Sequence, residues 1–183
     1  MRKVIAVINM TLDGFCDHTS TIADEELHDH YTRLLRNAGV ILYGRITYQL
    51  MEYWRTLLEN PSGNKDMDDF AMAIDGLPKV VFSHTLKSTS WKTARIATKD
   101  IKEEVVALKQ QAGKDILVGS RSLIITLLNL KLIDEFQLLV QPIIVGKGLP
   151  LFNEISDRID LTLLKTETFA SSGSMLFYYK PKA

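Results

Sequence analysis

Short apolar runs and longer segments with helical periodicity alternate along most of this chain, and polar turn residues separate them. Continuous apolar runs of about four to eight residues are typical of strands covered on both faces, as in parallel sheets. The first run, residues 4–8, has no polar interruption and predicts a central strand. The strands predicted in this part of the chain are residues 3–9, 40–43, 79–83, 95–97 and 115–118.

Capping and helix-breaking residues predict helices between these strands. Thr21 or Asp24 can cap a first helix that runs to about Ala38 and stops at Gly39. The other predicted helices are a short one after Gly44, residues 66–74, residues 100–111, and one that ends near residue 130. Strands that alternate with helices indicate a parallel sheet with helical crossovers.

The pattern changes after residue 130, where strands follow one another without intervening helices. Residues 135–142, 161–169 and 174–180 are predicted strands. Ser171, Ser172 and Gly173 predict the turn of an antiparallel hairpin between the last two strands. No internal repeat, low-complexity tract or linker divides the chain, so residues 1–183 are predicted to form a single α/β domain with a mixed, mostly parallel sheet.

Composition narrows the classes of partner. The 22 basic and 22 acidic residues cancel, so there is no basic surface to attract nucleic acid or an anionic membrane. The single cysteine, Cys16, and the lack of a signal-peptide core or a membrane-length apolar run indicate a cytoplasmic protein. His28 and His30 lie two residues apart and no cysteine cluster accompanies them, so no metal site is expected.

The strand at residues 115–118 ends in a turn whose composition suits an anion. Gly119, Ser120, Arg121 and Ser122 follow it, and helical spacing then resumes. The free N–H groups and the dipole at a helix start favour a phosphate or pyrophosphate group. One such turn is weak evidence, because many α/β proteins have a glycine at this place and bind nothing there.

A second turn of the same kind follows residues 40–43. Gly44 ends that strand, and Arg45 and Thr47 open the next helical segment. Arg45 carries a planar, permanent charge suited to phosphate oxygens, and the Thr47 hydroxyl can cap the helix or bond a phosphate. The alternative is an ordinary helix cap with a surface arginine. The two turns together favour a ligand with several phosphates.

The order of elements and five motifs resemble the dihydrofolate reductase-like superfamily, and more closely the C-terminal reductase domain of the bifunctional riboflavin-biosynthesis enzyme RibD. The resemblance covers nearly the whole chain. The motifs are residues 11–14 (TLDG), 42–48 (LYGRITY), 80–83 (VVFS), 117–123 (LVGSRSL) and 132–152. The last is the most specific, since its strand, proline and spaced glycines extend over some twenty positions.

The resemblance implies a three-layer α/β/α fold that binds NADPH. It assigns contacts with the cofactor phosphates to Gly44, Arg45 and Thr47. It assigns the pyrophosphate, on the opposite side, to Gly119, Ser120, Arg121 and Ser122. It assigns the adenosine end to Ser83, His84 and Thr85, a third polar strand end. Hydroxyl groups near Arg45 could accept a 2′-phosphate, which favours NADPH over NADH.

Two positions depart from the family pattern. Relatives commonly have two adjacent glycines where this chain has Gly119 and Ser120, so Ser120 is expected to be strained if the turn requires a positive φ. Thr11 replaces the usual serine before Leu-Asp-Gly and keeps its hydroxyl.

Hydride transfer requires a proton donor or hydrogen bond near the reacting carbon of the acceptor. Asp13, in the motif after the first strand, is the predicted catalytic residue; the alternative is a turn aspartate that bonds its own backbone. Tyr48 and Trp54 are predicted to stack on a flat substrate, although aromatic residues at helical spacing often belong to a core.

The acidic residues Asp24, Glu25 and Asp29 lie on the helix that carries a carboxylate in folate-reducing relatives. We interpret them instead as compensation of the helix dipole or as a solvated face.

The sequence therefore predicts an NADPH-dependent reductase acting on a small polar heterocycle, such as a pterin, pyrimidine or flavin precursor. Residues 136–145 also predict a homodimer, because their apolar run could continue into a neighbouring subunit. No zinc deaminase half is expected, since its histidine and cysteine ligands are missing. Alternatives are a catalytically weak dinucleotide-binding protein, acting as a sensor or dimeric scaffold, and an α/β domain with an unrelated ligand.

Overall fold

One eight-stranded sheet forms the centre of the computed structural model, which describes residues 1–182. The strands are β1 (Val4–Thr11), β2 (Val40–Gly44), β3 (Lys79–Phe82), β4 (Ala94–Ile96), β5 (Ile116–Val118), β6 (Glu135–Gln141), β7 (Leu161–Phe169) and β8 (Ser174–Pro181). The helices are α1 (Glu25–Arg36), α2 (Arg45–Met51), α3 (Tyr53–Glu59), α4 (Lys65–Gly76), α5 (Ile101–Gln110) and α6 (Arg121–Asn129).

The strand order is β4-β3-β2-β5-β1-β6-β8-β7. Strands β1 to β6 pair in parallel, whereas β8 pairs antiparallel with both β6 and β7. The predicted mixed sheet with a C-terminal antiparallel hairpin is therefore confirmed. Gly173, in the turn of that hairpin, has a φ of +68°, which glycine adopts without strain.

Helices cover both faces of the sheet and complete the three predicted layers. On one face, Val105 of α5 and Leu127 of α6 pack with side chains of β1, β2 and β5. On the other face, Leu35 of α1 and Ile74 of α4 pack with the alternate side chains of the same strands. Because both faces are covered, these strands read as continuous apolar runs instead of alternating patterns.

Several element boundaries differ from those predicted. The side chain of Asp24, not that of Thr21, caps α1 by accepting the Leu27 N–H at 2.9 Å. The region after Gly44 forms two short helices, α2 and α3, where one was predicted. Strand β1 continues to Thr11, two residues beyond its predicted end, because β6 provides a parallel partner as far as Gln141.

The argument for a homodimer from residues 136–145 was wrong for residues 136–141, which lie in β6. Strand β6 lies between β1 and β8, so neighbours within the same chain occupy both of its edges. Its apolar residues Phe136, Leu138 and Leu139 are buried within this chain. Self-association therefore stays a prediction that needs another surface.

Candidate active site

The carboxyl ends of β2 and β5 lie side by side in the sheet, and the chain leaves them toward opposite faces. After β2 it passes through α2 and α4, on the face that holds Tyr48 and Ile74. After β5 it enters α6, whose Ile124 and Leu127 pack on the other face. In open α/β sheets, such a topological switch point opens a crevice in which ligands bind. The two glycine turns predicted from sequence meet here.

A direct hydrogen bond joins these two turns. The Gly44 N–H donates to Ser120 Oγ at 2.8 Å, across 76 residues of sequence. Ser120 is only 1% exposed, so this contact is part of the fold. A Cβ on Gly44 would lie 3.4 Å from Ser122 Oγ and 3.8 Å from Ser120 Oγ, so two hydroxyls of the turn after β5 lie close to this glycine.

Ser120 is not strained, because the turn does not have the positive φ under which strain was expected. Its φ is −105° and its ψ is 125°, an extended conformation that any residue adopts. Gly119 likewise has no positive φ, and a Cβ there would be 3.5 Å from the Tyr43 ring, an ordinary contact. The serine therefore fits the turn without strain and adds the hydroxyl that accepts from Gly44.

The two helices that start at this crevice have no side-chain cap, as is also true of α3, whereas α1, α4 and α5 are capped. Asp24, Asn64 and Asp100 cap α1, α4 and α5 with their side chains. Neither Gly44, at the start of α2, nor Ser120, at the start of α6, makes such a bond. Backbone N–H groups of the first turn therefore remain available to an anion, and the dipole favours one.

The two arginines of these turns differ in their surroundings. Arg45 is exposed, and its Nη1 donates to the neutral Gln49 Oε1 at 3.0 Å. Arg121 instead donates from Nε to the Pro150 carbonyl at 2.8 Å and forms an ion pair with Glu154 at 3.0 Å. Only Arg45 thus offers an unneutralised charge, while Arg121 ties α6 to the segment after β6.

The other predicted cofactor residues also lie at the carboxyl ends of the parallel strands. Thr47 is half-buried in the first turn of α2, and Ser122 is exposed in the first turn of α6. Ser83 follows β3, the neighbour of β2, and its Oγ accepts the N–H groups of Thr85 and Leu86. His84 and Thr85 are exposed in the turn that this serine shapes.

Asp13 links two loops through hydrogen bonds. Its carboxylate accepts the Thr11 hydroxyl at 2.6 Å and the N–H groups of Val145 and Gly146 at 3.1 and 2.7 Å. These hydrogen bonds, that from Thr11 first, hold the pKa of Asp13 below its usual range. The group is thus a stable carboxylate at neutral pH. Asp13 therefore links the turn after β1 to the loop at Val145 and Gly146, while its predicted catalytic role remains untested.

The two predicted substrate aromatics occupy different environments. Tyr48 is 1% exposed, and its hydroxyl accepts the N–H groups of Ser90 and Trp91 at 3.1 and 3.3 Å. It therefore packs in the core and holds the loop before β4. Trp54 is half-buried, with its ring centroid 4.5 Å from that of Phe70 and 5.6 Å from that of His28. Of the two, only Trp54 has an accessible surface for a ligand.

Two polar side chains near the carboxyl ends of β1 and β6, Asn9 and Gln141, were not predicted from the sequence. The Tyr31 hydroxyl on α1 donates to Asn9 Oδ1 near the carboxyl end of β1. Farther along, Gln141 is 2% exposed and bonds both backbone groups of Ile22, at 2.8 and 2.5 Å. A signal existed for Asn9, because it is the first polar residue after five apolar ones in a buried strand.

Among residues 1–182, no group of three or more histidine, cysteine or acidic side chains is placed to hold a metal ion. No helix in that part of the chain is long and apolar enough to cross a membrane.

Comparisons with known proteins agree with this architecture. The family model of the RibD C-terminal domain matches residues 2–173. The uncharacterized protein YyaP of Bacillus subtilis is 35% identical over 182 residues, which cover 97% of this chain and 95% of YyaP.

Solved structures extend the comparison of the fold. The diaminohydroxyphosphoribosylaminopyrimidine deaminase/5-amino-6-(5-phosphoribosylamino)uracil reductase of Thermotoga maritima superimposes with a TM-score of 0.64 at 18% identity. That alignment covers 99% of this chain and 57% of the bifunctional protein. Dihydrofolate reductase from Enterococcus faecalis gives a TM-score of 0.65 at 12% identity over 99% and 97% of the two chains. With the match of the family model over residues 2–173, the chain belongs to the RibD C-terminal domain family and has the dihydrofolate reductase-like fold.

Proposed function

We propose that this protein is an NADPH-dependent reductase that acts on a small polar heterocycle. The observation that carries the proposal is the hydrogen bond between Gly44 N–H and Ser120 Oγ, which joins two uncapped helix starts at the switch point of the sheet. Such a junction offers backbone donors from both sides of one crevice, as a dinucleotide with two linked phosphates requires.

The residues of the crevice fit such a cofactor. The exposed Ser122 hydroxyl lies 3.4 Å from where a Cβ of Gly44 would be, so this hydroxyl and the first-turn N–H groups of α2 are close enough to serve one ligand. In the proposed arrangement, Gly119, Ser120 and Ser122 contact the pyrophosphate, with Gly44 and Thr47 on the opposite side. Ser83, His84 and Thr85 line the adenosine end.

The preference for NADPH rests on Arg45. Its guanidinium forms no ion pair with the acidic side chains of residues 1–182, so its charge is available to a 2′-phosphate. Arg121 is unsuited to that task because Glu154 already neutralises it. The dihydrofolate reductase of Enterococcus faecalis, a fold neighbour, was solved with NADP(H), which supports this choice of cofactor.

A heterocyclic substrate is supported by the names of two fold neighbours, which are reductases of a uracil derivative and of dihydrofolate. Bound NADPH supplies the hydride in this chemistry. The chain contributes the binding of the phosphates, the walls of the crevice and an ordered loop beside β1. Asp13 is proposed to order that loop through Val145 and Gly146, and a proton-transfer role for it is tested below.

A titration with NADPH and with NADH tests the proposal. The fluorescence of Trp54 and Trp91, and energy transfer from them to the reduced nicotinamide, report on binding to the unmodified chain. We expect saturable binding with a preference for NADPH, followed by oxidation of NADPH in a screen of pterins and of pyrimidine and flavin precursors. No binding of either cofactor at millimolar concentration contradicts the proposal. Tight binding without turnover in that screen favours the sensor or scaffold alternative.

A further inference from the structure

The crevice continues along one edge of β1, because β5 is much shorter than its neighbours. Strand β5 pairs only with residues 4–6 of β1, whereas β6 pairs with β1 from Ile5 to Thr11. Beyond Ala6, the β5 side of β1 therefore has no strand partner, since the chain turns at Gly119 into α6. The half-buried residues 8–10 of β1 therefore lie beside the continuation of the crevice.

Asn9 is the polar side chain that β1 directs toward α1 in this segment. The hydroxyl of Tyr31 on α1 donates to Asn9 Oδ1, and burial raises the pKa of Tyr31, so that hydroxyl keeps its proton. In this orientation of the amide, Oδ1 is the end bonded to α1. The Nδ2 group donates to no atom of residues 1–182, and the side chain is only half-buried. The two N–H donors of the amide therefore have no partner among these residues.

The N-cap Asp24 and the acidic residues of α1 are bonded to other groups or, as for Glu25, exposed. Asp24 accepts the Leu27 N–H and the Ser171 hydroxyl, and Glu26 accepts the same hydroxyl at 2.8 Å. Asp29 is exposed and lies 3.7 Å from Arg33. The polar group presented beside β1 is thus a neutral amide with donors, where a carboxylate would present acceptors only.

We propose that Asn9, held by Tyr31, positions the substrate by donating from Nδ2 to an exocyclic oxo oxygen. The site would thereby select oxo-substituted heterocycles over their amino-substituted counterparts. This inference rests on the proposed function for the class of ligand. It goes beyond that function by naming the residue pair that chooses within the class. A buried or half-buried donor discriminates because an amino group opposite it leaves both partners without an acceptor.

Two pteridines of the same shape test the selection. Lumazine carries oxo groups at positions 2 and 4, and 2,4-diaminopteridine carries amino groups there. Their dissociation constants are measured by fluorescence with the full chain at saturating NADP⁺, and again without it. We expect at least about tenfold tighter binding of lumazine. Equal affinities, a preference for the diamino compound, or no binding of either overturns the proposal.

The variant Asn9→Asp exchanges the free donors for an acceptor while the Tyr31 hydroxyl can still donate to it. We expect the preference for lumazine over 2,4-diaminopteridine, measured as the ratio of their affinities, to fall by at least about tenfold. The matched control is Asn60→Asp, which makes the same charge change at an exposed position after α3. A ratio that Asn9→Asp leaves unchanged, or that the control changes equally, contradicts the role of Asn9.

Tyr31→Phe provides an independent test that does not alter Asn9 itself. Loss of the hydroxyl frees Oδ1, so the amide can turn and accept from an amino group. We expect the preference for lumazine to decrease several-fold. The thermal midpoint of the variant shows whether the substitution has also caused a general loss of structure. An unchanged preference in a folded variant contradicts the positioning role.

The failure of this inference is distinguishable from failure of the proposed function. NADPH binding is titrated on the same samples and reports on the phosphate turns alone. A chain that selects lumazine through Asn9 but binds no NADPH keeps the inference and loses the cofactor. A chain that binds NADPH but does not discriminate the two pteridines keeps the proposed function and loses the role of Asn9.

Discussion

At the scale of single residues, Asp13 shows how geometry can restrict chemistry. A proton donor at neutral pH needs a raised pKa, whereas three donors hold the pKa of Asp13 low. The carboxylate that sequence reasoning selected for catalysis is therefore better placed to order the loop that contains Val145 and Gly146.

Replacing Asp13 with Asn tests both roles. Because the folded-state pKa is depressed, the carboxylate stabilises the fold above its unfolded-state value of about 3.9 and loses this effect as pH falls through the folded-state value. We expect the variant to unfold at a lower temperature than the wild type between pH 5 and pH 8, on the order of a few degrees. The difference should shrink below about pH 4. Once a substrate is known, retained turnover in the variant excludes Asp13 as the proton donor.

Ser122 allows the proposed phosphate site to be tested without harming the helix. An aspartate in the first turn of α6 complements the helix dipole, so Ser122→Asp should keep or raise the thermal midpoint. The same charge repels a phosphate, and we expect NADPH affinity to fall at least about tenfold. Ser122→Asn is the matched neutral control and should lower affinity much less. Equal losses in both variants would contradict an anion at this turn.

Arg45 is expected to distinguish the two nicotinamide cofactors. Arg45→Ala removes a charge-assisted contact that only NADPH can make, so its affinity should fall about tenfold while NADH affinity changes little. Gln49→Ala is the control, since Gln49 is the neutral partner of Arg45. Titration of both cofactors measures the effect. An equal loss for both, or none, defeats the role of Arg45 as selector of the 2′-phosphate.

At the scale of elements, Lys79 joins the end of α4 to the start of β3. It is 1% exposed, and its Nζ donates to the carbonyls of Ile74 and Leu77 at 2.5 and 2.7 Å and to Thr93 Oγ1 at 2.8 Å. The Trp91 ring lies 4.0 Å from the same Nζ. The ammonium thus satisfies the last carbonyls of a helix that has no basic residue in its own last turn.

Substitution of Lys79 with Met should destabilise the protein by about 1–3 kcal/mol at pH 7, because buried acceptors lose their donor. Burial lowers the pKa of Lys79 to about 8, below its unfolded-state value. The unfolded chain therefore binds more protons between about pH 8 and pH 10, and this group makes stability rise with pH there. Chemical denaturation at pH 7 and pH 9.5 measures both effects. The free energy of unfolding of the wild type minus that of the variant should be larger at pH 9.5 than at pH 7. A difference that does not grow with pH would contradict a buried lysine that is charged at pH 7.

At the scale of the whole molecule, the end of the sheet formed by β7 and β8 is a surface suited to self-association. Leu163 of β7 is 51% exposed, and Met175 of β8 is 39% exposed. β7 is also an edge strand with unpaired backbone groups. A homodimer therefore remains a prediction, now assigned to this end of the sheet instead of β6.

The mass of the sedimenting species tests that prediction directly. We expect a species of twice 20.7 kDa at micromolar concentration, and Leu163→Lys should shift it toward the monomer. Thr162→Lys is the control, because adjacent strand residues face opposite sides of a sheet. A wild-type protein that sediments only at 20.7 kDa contradicts the dimer.

The sequence alone determined the elements and most of their order, because apolar periodicity, capping side chains and turn residues act within a few positions. The strand, glycine and helix signals at Gly44 and Gly119 are of this kind, as is the Asp24 cap. The motifs extended this local information to the family, which the comparisons confirmed.

Only the tertiary structure decided which of these local features meet. Nothing local to Gly44 indicates that its N–H donates to Ser120, 76 residues away, or that Asp13 binds Gly146. The Asn9–Tyr31 bond and the buried Lys79 likewise depend on how helices pack on the sheet. Long-range contacts follow from strand order and register, and these arise from burial of the whole core instead of the preference of any one segment.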